Sequence, residues 1–590
     1  MEDPSPSSGS DADAGDVGAK ASRRARVANW ARRLVPAREK AKKDAIAGLV
    51  LGVESVPDGL ALGVLAGVNP LAGLYGYLFG TVGGAIASST PVLAVQVTGA
   101  TALIVADTGL ERFSDPERAL FALSIMAGLI MIAAGVLRLG RLLRFVSSAV
   151  MIGFIAGVGV NTILGQLGNF TGYAAQGSNR VLRTLDLLVH FWQVHLPSLA
   201  VGAATLALIV LLNRTRLGAF GMVIAIVAGS GAAYGFRLLG HHVPVVGDVA
   251  TGRLGLPLPA LPAFDAVIEL LIPALAIAFV GMVQGAGITT AFPDPGGKPS
   301  NASRDFIGQG VGSVISGVFR GMPASGSMSA TALNVQAGAQ TRFSLFVAGA
   351  VMAIIVVAAG DLVGFVAFPA LAALLIVVGF GTIRPPVIMR AIRSGKLQAV
   401  VLIATFAMTI IVPVHFAVLT GVALAVVLFV VEQSQQLTVR RLLVSENAFM
   451  REVEPPRDVP AGEVVILQPY GNLFFASAAN FREQLPAVTS ETRRAVVVLR
   501  LRGVDDLGVS VAQILVDYSE ELASHESRLI VNGGAALLKQ LVRSGVLDRL
   551  GEQNFFLSGE WHGRTVARAH REGVAWIAQA SEGGSASAAD

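Results

Sequence analysis

The chain contains no cysteine. That excludes disulfides, cysteine-ligated zinc and thiol chemistry, although it does not fix a compartment. Charge is scarce as well: Asp, Glu, Lys and Arg make up 14% of the 590 residues, against 53% hydrophobic residues. With a mean hydropathy of +0.64, this composition is that of a polytopic membrane protein and not of a soluble globule. The net charge of +5 is small for the length, and the positive residues are clustered, so nucleic acid is not the implied partner. No short apolar core follows Met1, so no signal peptide is expected. Neither a GxGD motif nor a GxSxG elbow occurs, and no nucleophile has a base beside it, which argues against an enzyme.

What is present is a recurring series of apolar runs from about Ala45 to Val431, most of them of the length that crosses a hydrocarbon core roughly 30 Å thick. The expected spans are residues 45 to 67, 71 to 90, 96 to 108, 117 to 137, 145 to 168, 195 to 213, 218 to 238, 264 to 291, 304 to 320, 325 to 338, 343 to 363, 366 to 383, 396 to 413 and 415 to 433. That is about fourteen. Arg23, Arg24, Arg26, Arg32, Arg33, Arg38, Lys40, Lys42 and Lys43 precede the first span, which predicts a cytoplasmic amino terminus. Counting crossings from there puts Arg138/Arg141/Arg144, Arg214/Arg216, Arg342, Arg390/Arg393/Lys396 and Arg440/Arg441 on the same side. The expected divisions are a polar, then basic tail over 1–43, disordered in its first part, a transporter domain over 44–436, a linker over 437–458, an α/β domain over 459–580 and a disordered tail over 581–590.

Two spans, near 96 to 108 and 325 to 338, are short and rich in Gly, Ser and Thr, as half-helices would be. They read "VQVTGATALIV" and "SGSMSATALNV" and share ATAL, a trace of two repeated halves. In transporters with inverted repeats, broken helices in matching positions aim their positive amino-terminal ends at an anionic substrate near the midplane. From about Gly462, β-branched runs such as "RRAVVVLRLRGV" alternate with helical patterns, giving the small α/β domain.

"VPDGLALGVLAGVNPLAGLYG" at 56–76, "GFIAGVGVNTILGQLGNFTG" at 153–172 and "RGMPASGSMSATALNVQAGAQTR" at 320–342 resemble the first-span, fifth-span and tenth-span signatures of the sulfate permease (SulP) family. The carboxy-terminal domain resembles a STAS domain. The resemblance covers nearly everything past the first 40 or so residues. It implies two inverted seven-span repeats, a core domain that carries an anion site and moves against a gate domain, and usually a homodimer. The site would lie between the ends of the third and tenth segments, lined by the first and eighth. Uracil and xanthine permeases share the fold without a STAS domain, so nucleobase transport is the lesser reading.

The expected substrate-lining set is Asp58, Leu62, Gln96, Val97, Thr98, Gly99, Gln284, Ser327, Met328 and Ser329. Backbone N–H groups at Val97, Thr98 and Gly99, and at Ser327, Met328 and Ser329, should be unpaired donors. The hydroxyls of Thr98, Ser327 and Ser329 either add donors or bond back within their own helices. Ser327 and Ser329 match the family's binding serines; Ala330 stands where many animal members have an arginine, and Gln284 where many bacterial members have an acid.

The acids instead lie in the first span. Glu54 and Asp58 are four apart and share a helix face, and Asp58 stands where relatives carry a site-lining glutamine. An ionisable residue inside a span costs on the order of 3 kcal/mol and is a functional candidate by default. Two carboxylates about 6 Å apart do not both ionise readily, so a shared proton could leave or arrive with the substrate. Pro57 frees a carbonyl that could line the cavity or coordinate sodium. Asn161, Gln166 and Asn334 are read as interhelical hydrogen-bonding residues, Glu269 and Asp265 as interfacial, and His241/His242 as a pair with too few ligands for a metal.

In the α/β domain, "DDLGVSVAQ" puts Gly508 and Val509 where the family's anti-sigma antagonists have Asp and a phosphorylatable Ser, leaving Ser510. Dimer assembly or docking of a cytoplasmic protein is the expected role. The functional expectation is secondary transport of a small inorganic or carboxylate anion (sulfate, bicarbonate, chloride or similar) by alternating access in the cell membrane. Protons or sodium are possible coupling ions and no other cofactor is implied; an uncoupled exchanger or channel is the alternative.

Overall fold

A computed structural model describes residues 38–140, 147–215, 219–249, 255–292, 301–444, 450–558 and 564–586. The polar tail up to residue 37, with its basic residues from Arg23 to Arg33, and Arg141, Arg144 and Arg216 lie outside the described residues. The chain divides into two compact units, Met1–Ala425 and Val426–Asp590.

The first unit opens with α1 (Arg38–Leu65), α2 (Pro70–Ala87), a two-residue strand β1 (Val95–Gln96) and the short α3 (Gly99–Thr108). α4 (Pro116–Val136), α5 (Ser148–Thr171), α6 (Arg180–Val189), α7 (Leu196–Leu212) and α8 (Ala219–Leu238) complete the first half. The second half repeats the order: α9 (Leu271–Ala291), α10 (Ala302–Val318), β2 (Ser325–Gly326), the short α11 (Met328–Gln336), α12 (Phe343–Ala358), α13 (Gly360–Gly364), α14 (Phe368–Thr382), α15 (Pro385–Ser394), α16 (Lys396–Ile411) and α17 (Val414–Gln435). Each expected span has its helix. The sequence reading missed α6 and α15, ten residues each and in matching places of the two halves. Both are amphipathic connectors too short and too polar to register as spans.

The helices pack in two groups. α1 to α4 pack with α9 to α12, and α5, α7 and α8 with α14 and α16; α17 lies against α5 and α16 through Gly421. These are the core and gate halves of an inverted-repeat transporter fold. They touch where α1 meets α8 and α14 and where α3 meets α5.

The core is tight because glycines let backbones meet. A Cβ on Gly73 of α2 would sit 2.1 Å from the Gly59 carbonyl oxygen and 2.7 Å from the Gly63 nitrogen of α1, so no larger residue fits there. This contact fixes α1 just past its acidic stretch. Two buried carboxylates, which the sequence reading did not single out, pin the chain around the half-helices. Asp305 accepts hydrogen bonds from Ser89 N (2.7 Å), Thr90 N (2.9 Å), Thr90 Oγ1 (2.7 Å), Ser89 Oγ (2.8 Å) and Thr289 Oγ1 (3.0 Å). Asp44 accepts from Gln340 N (2.6 Å) and Thr341 N (3.1 Å) just after α11. So many donors satisfy a buried charge and leave no valence for a ligand.

The second unit is an α/β domain around a six-stranded sheet. β3 (Thr438–Val444), β4 (Met450–Val453), β5 (Val464–Tyr470), β6 (Val496–Leu501), β7 (Arg528–Gly533) and β8 (Phe555–Leu557) take the order β4-β3-β5-β6-β7-β8. β3 is antiparallel to both neighbours and β5 to β8 are parallel. α18 (Ala478–Gln484), α19 (Val509–Ala523), α20 (Ala535–Arg543), α21 (Val546–Leu550) and α22 (Arg564–Ala586) cover it. Alternate strand residues face opposite ways: Val465, Val497 and Val531 pack with Leu515 and Tyr518 of α19, and Ile466, Val498 and Ile530 with Val566 and Ala569 of α22. The boundaries expected from sequence need two corrections. The stretch taken as a linker carries β3 and β4, whose pairing with β5 only the folded sheet provides, and the stretch taken as a tail is helical to Ala586.

Candidate functional site: two half-helices and an acidic helix face

β1 and β2 pair antiparallel, Val95 opposite Gly326 and Gln96 opposite Ser325. The ribbon joins the halves at one level and sends α3 and α11 away from each other, so the two positive helix ends lie together. Ser327 N donates to the Ala94 carbonyl at 2.9 Å, extending the contact by one residue.

Each half-helix start is locked by its own hydroxyls. Thr98 caps α3: its Oγ1 accepts from Thr101 N at 3.3 Å, and Thr101 Oγ1 accepts from Thr98 N at 2.9 Å. Ser327 caps α11, accepting from Ala330 N at 3.3 Å. The threonines of the two ATAL repeats do matching work. Thr101 Oγ1 donates to the Thr98 carbonyl at 2.9 Å, and Thr331 Oγ1 to the Ser327 carbonyl at 2.6 Å while accepting from Ala94 N at 3.1 Å.

This geometry corrects the expected donors. Thr98 N and Ser327 N are already paired, and the Thr98 and Ser327 hydroxyls serve as caps. The free donors lie further along each first turn, at Gly99 and Ala100 in α3 and at Met328 and Ser329 in α11, because a capped helix still leaves two N–H groups unserved. Val97 is fully buried, whereas Met328 and Ser329 are exposed. The Ser329 hydroxyl lies 3.3 Å from that of Ser327. Ala100 was missed by sequence reasoning; counting cap positions from Thr98 would have found it.

Gln96 also departs from expectation. Its side chain is fully buried, and its amide nitrogen donates to Ser55 Oγ (3.0 Å) on α1 and Thr81 Oγ1 (3.2 Å) on α2. It fastens the ribbon to two helices and does not face a cavity. Leu62 is buried at 5% exposure.

Glu54 and Asp58 are both half-buried, on the stretch of α1 that Ser55 ties to the ribbon. Neither has a hydrogen-bond or ion-pair partner among the described residues. Pro57 lies within the helix, so the Val53 carbonyl lacks its usual donor. Gln284, on α9, is half-buried and its Oε1 has no partner among the described residues. α1 and α9 each pack against both α3 and α11, and Gly287 of α9 approaches the Met328 side chain. Ser55, between the two acids, is bonded to Gln96 of the ribbon from which both half-helices start, so the acidic stretch is the part of α1 tied to that ribbon.

The other polar residues fall into structural roles. Asn161 donates to the Thr409 carbonyl (2.5 Å), Asn334 to the Val92 carbonyl (3.3 Å), and Gln166 accepts from Asn169 (3.2 Å). Asp265 and Glu269 are exposed. His242 lies 3.5 Å from Asp248, and no group of three or more metal-ligating side chains occurs among the described residues. A cavity of about 620 Å³ lies away from this site, lined by Asn69, Tyr75, Glu111, Asn169, Arg320 and Phe368. It opens on the face opposite the amino terminus and includes none of the half-helix donors or acids. In the second unit, Val509 is 88% exposed and Ser510 is exposed at the start of α19, whose Gly508 cap supplies no side-chain bond.

Residues 42–405 match the sulfate permease family and residues 457–560 the STAS domain. "Probable sulfate transporter Rv1739c" of Mycobacterium tuberculosis is 26% identical over 547 residues, covering 90% of this chain and 97% of that one. "Bicarbonate transporter BicA" of Synechocystis is 26% identical over 481 residues, covering 80% and 83%. Among solved structures, the murine Solute Carrier 26 family member A9 anion transporter, described as inward-facing, aligns with a TM-score of 0.78 at 18% identity over 92% of each chain. The transmembrane domain of a cyanobacterial bicarbonate transporter, BicA, aligns with a TM-score of 0.55 at 24% identity, covering 67% of this chain and 98% of that one. These structural likenesses concern the fold.

Proposed function

Since the chain belongs to the sulfate permease family, we propose that it is a secondary transporter of a small oxyanion working by alternating access, with a cation accompanying the substrate. The observation that carries this reading is that one ribbon starts both half-helices, whose caps leave N–H groups unserved at Gly99, Ala100, Met328 and Ser329, and is tied through Gln96 to Ser55, between Glu54 and Asp58. The donors suit an oxyanion, whose several oxygens accept from both helix ends at once. No arginine stands at Ala330, so affinity rests on dipoles and hydroxyls.

A bare carboxylate pair beside an anion would repel it. At an effective dielectric of about 20, two unit charges 6 Å apart interact by roughly 3 kcal/mol, enough to shift binding about a hundredfold. A proton or a sodium ion taken up by Glu54 and Asp58 removes that penalty, and Asp58 thereby takes the coupling role that Gln284 cannot perform. Sulfate and bicarbonate lead the candidate substrates because the chain resembles transporters named for each. The distribution of basic residues supports a cytoplasmic amino terminus and STAS domain, and membership of the family supports a homodimer.

Uptake into liposomes of labelled sulfate, bicarbonate, chloride and nitrate, with and without a pH or sodium gradient, tests the proposal. Saturable uptake of at least one oxyanion, raised by one of the gradients, is expected. Uptake of none, or uptake indifferent to both gradients, would overturn it.

A further inference from the structure

Asp107 stands in the last turn of α3. A carboxylate there faces the negative end of its own helix dipole, an unfavourable place unless something else requires it. Two groups do. Arg180 Nη2, at the start of α6, donates to Asp107 Oδ1 at 2.8 Å, and Val414 N, the first residue of α17, donates to Oδ2 at 2.8 Å. Asp107 is therefore a displaced amino-terminal cap for α17 and an ion-pair partner for α6 at once. The two side chains are only 17% and 14% exposed. The stem of Arg180 lies against Gly165 of α5, where an added Cβ would meet Arg180 Cδ at 3.6 Å and Leu65 Cδ1 at 3.2 Å.

The partners belong to different packing groups. α3 is a core helix, whereas α5, α6 and α17 lie on the gate side. The contact sits at the end of α3 away from the ribbon, toward the face opposite the amino terminus. Both of its bonds hold only while core and gate keep their present arrangement.

We propose that Asp107, with Arg180 and the amino terminus of α17, is a latch that closes the face opposite the amino terminus and must open for the site to reach that face. This rests on the alternating-access reading above. Sliding the core past the gate breaks both bonds together, and the freed ions are then resolvated by water entering from the opened face. Removing either side chain leaves the arrangement unlatched, so the population open on that face rises.

The test uses the full chain, which has no native cysteine, with Leu65→Cys as a reporter. Leu65 is 7% exposed and adjoins the Arg180 stem, so a membrane-impermeant maleimide applied to that face labels it slowly. Asp107→Ala and Arg180→Gln should each speed labelling about tenfold while the elution profile of the folded protein stays unchanged. Asp107→Cys/Arg180→Cys, joined by a short reducible bis-thiol linker, should lose uptake and regain it on reduction. Labelling rates equal to the parent in both substituted chains, or full uptake by the linked chain, would overturn the latch. Absence of uptake by the unsubstituted protein would instead count against the transport reading, and the labelling rates would still decide the latch.

Discussion

Gln96 sits opposite Ser325 in the two-residue ribbon that joins the halves of the protein, and its amide nitrogen reaches Ser55 on α1 and Thr81 on α2. One buried side chain thus connects the ribbon, the acidic helix and its neighbour. Gln96→Ala would leave two hydroxyls without their donor, a cost of about 1–3 kcal/mol. The expected result is a lower thermal midpoint and a lower maximal uptake rate, with substrate KM changed less than about twofold. A large rise in KM at an unchanged midpoint would return Gln96 to the substrate-lining set.

The two serines of α11 should separate in their effects. Ser327 caps the helix, so Ser327→Ala should cost about 1 kcal/mol of stability and weaken uptake through the misplaced helix start. Ser329 caps nothing and its side chain is exposed. Ser329→Ala should raise substrate KM by about fivefold, the loss of one hydrogen bond near 1 kcal/mol, at an unchanged thermal midpoint. Uptake kinetics paired with a melting curve for each variant distinguish a binding hydroxyl from a structural one.

α6 carries a pH dependence outside the spans. Asp186 accepts from Gln176 N (2.7 Å) and Tyr173 Oη (3.2 Å) and lies 3.0 Å from His190 Nδ1. The Gln176 backbone bond, above the Tyr173 and His190 contacts, holds its carboxyl below the ordinary value of 3.8. A depressed carboxyl contributes to local stability above its unfolded range and loses that contribution as pH falls through the folded value. The Gln176 amide should therefore stay protected from hydrogen exchange through the ordinary carboxyl range near pH 4 and lose protection only at lower pH, after correction for intrinsic rates. Asp186→Asn should remove the pH dependence; the same pH profile in Asp186→Asn as in the unsubstituted protein would contradict the assignment.

Much of the fold is legible in the sequence because hydrocarbon thickness imposes a length on every span and because Gly, Ser and Thr mark the two short ones. The repeat was visible in ATAL, and the structure gives the letters a reason, since Thr101 and Thr331 each lock a half-helix start. What was not legible depends on partners distant in sequence. Gln96 looked like a polar residue facing a cavity until Ser55 and Thr81 closed around it. Thr98 N and Ser327 N looked free until Thr101 and Ala94 took them. β3 looked like a linker because "TVRRLLV" alone carries no signal for the strand it pairs with. Asp107 carries no signal in the sequence, because its partners Arg180 and Val414 are 73 and 307 positions away.

In the proposed mechanism Asp58 carries the coupling ion. Oxyanion uptake should be measured in liposomes holding the unsubstituted protein, Asp58→Asn or Glu54→Gln, with an imposed pH or sodium gradient and again with none. Asp58→Asn should lose the gradient-driven accumulation while keeping downhill exchange, and Glu54→Gln should weaken the gradient effect less. Gradient-driven accumulation by Asp58→Asn equal to that of the unsubstituted protein would contradict it.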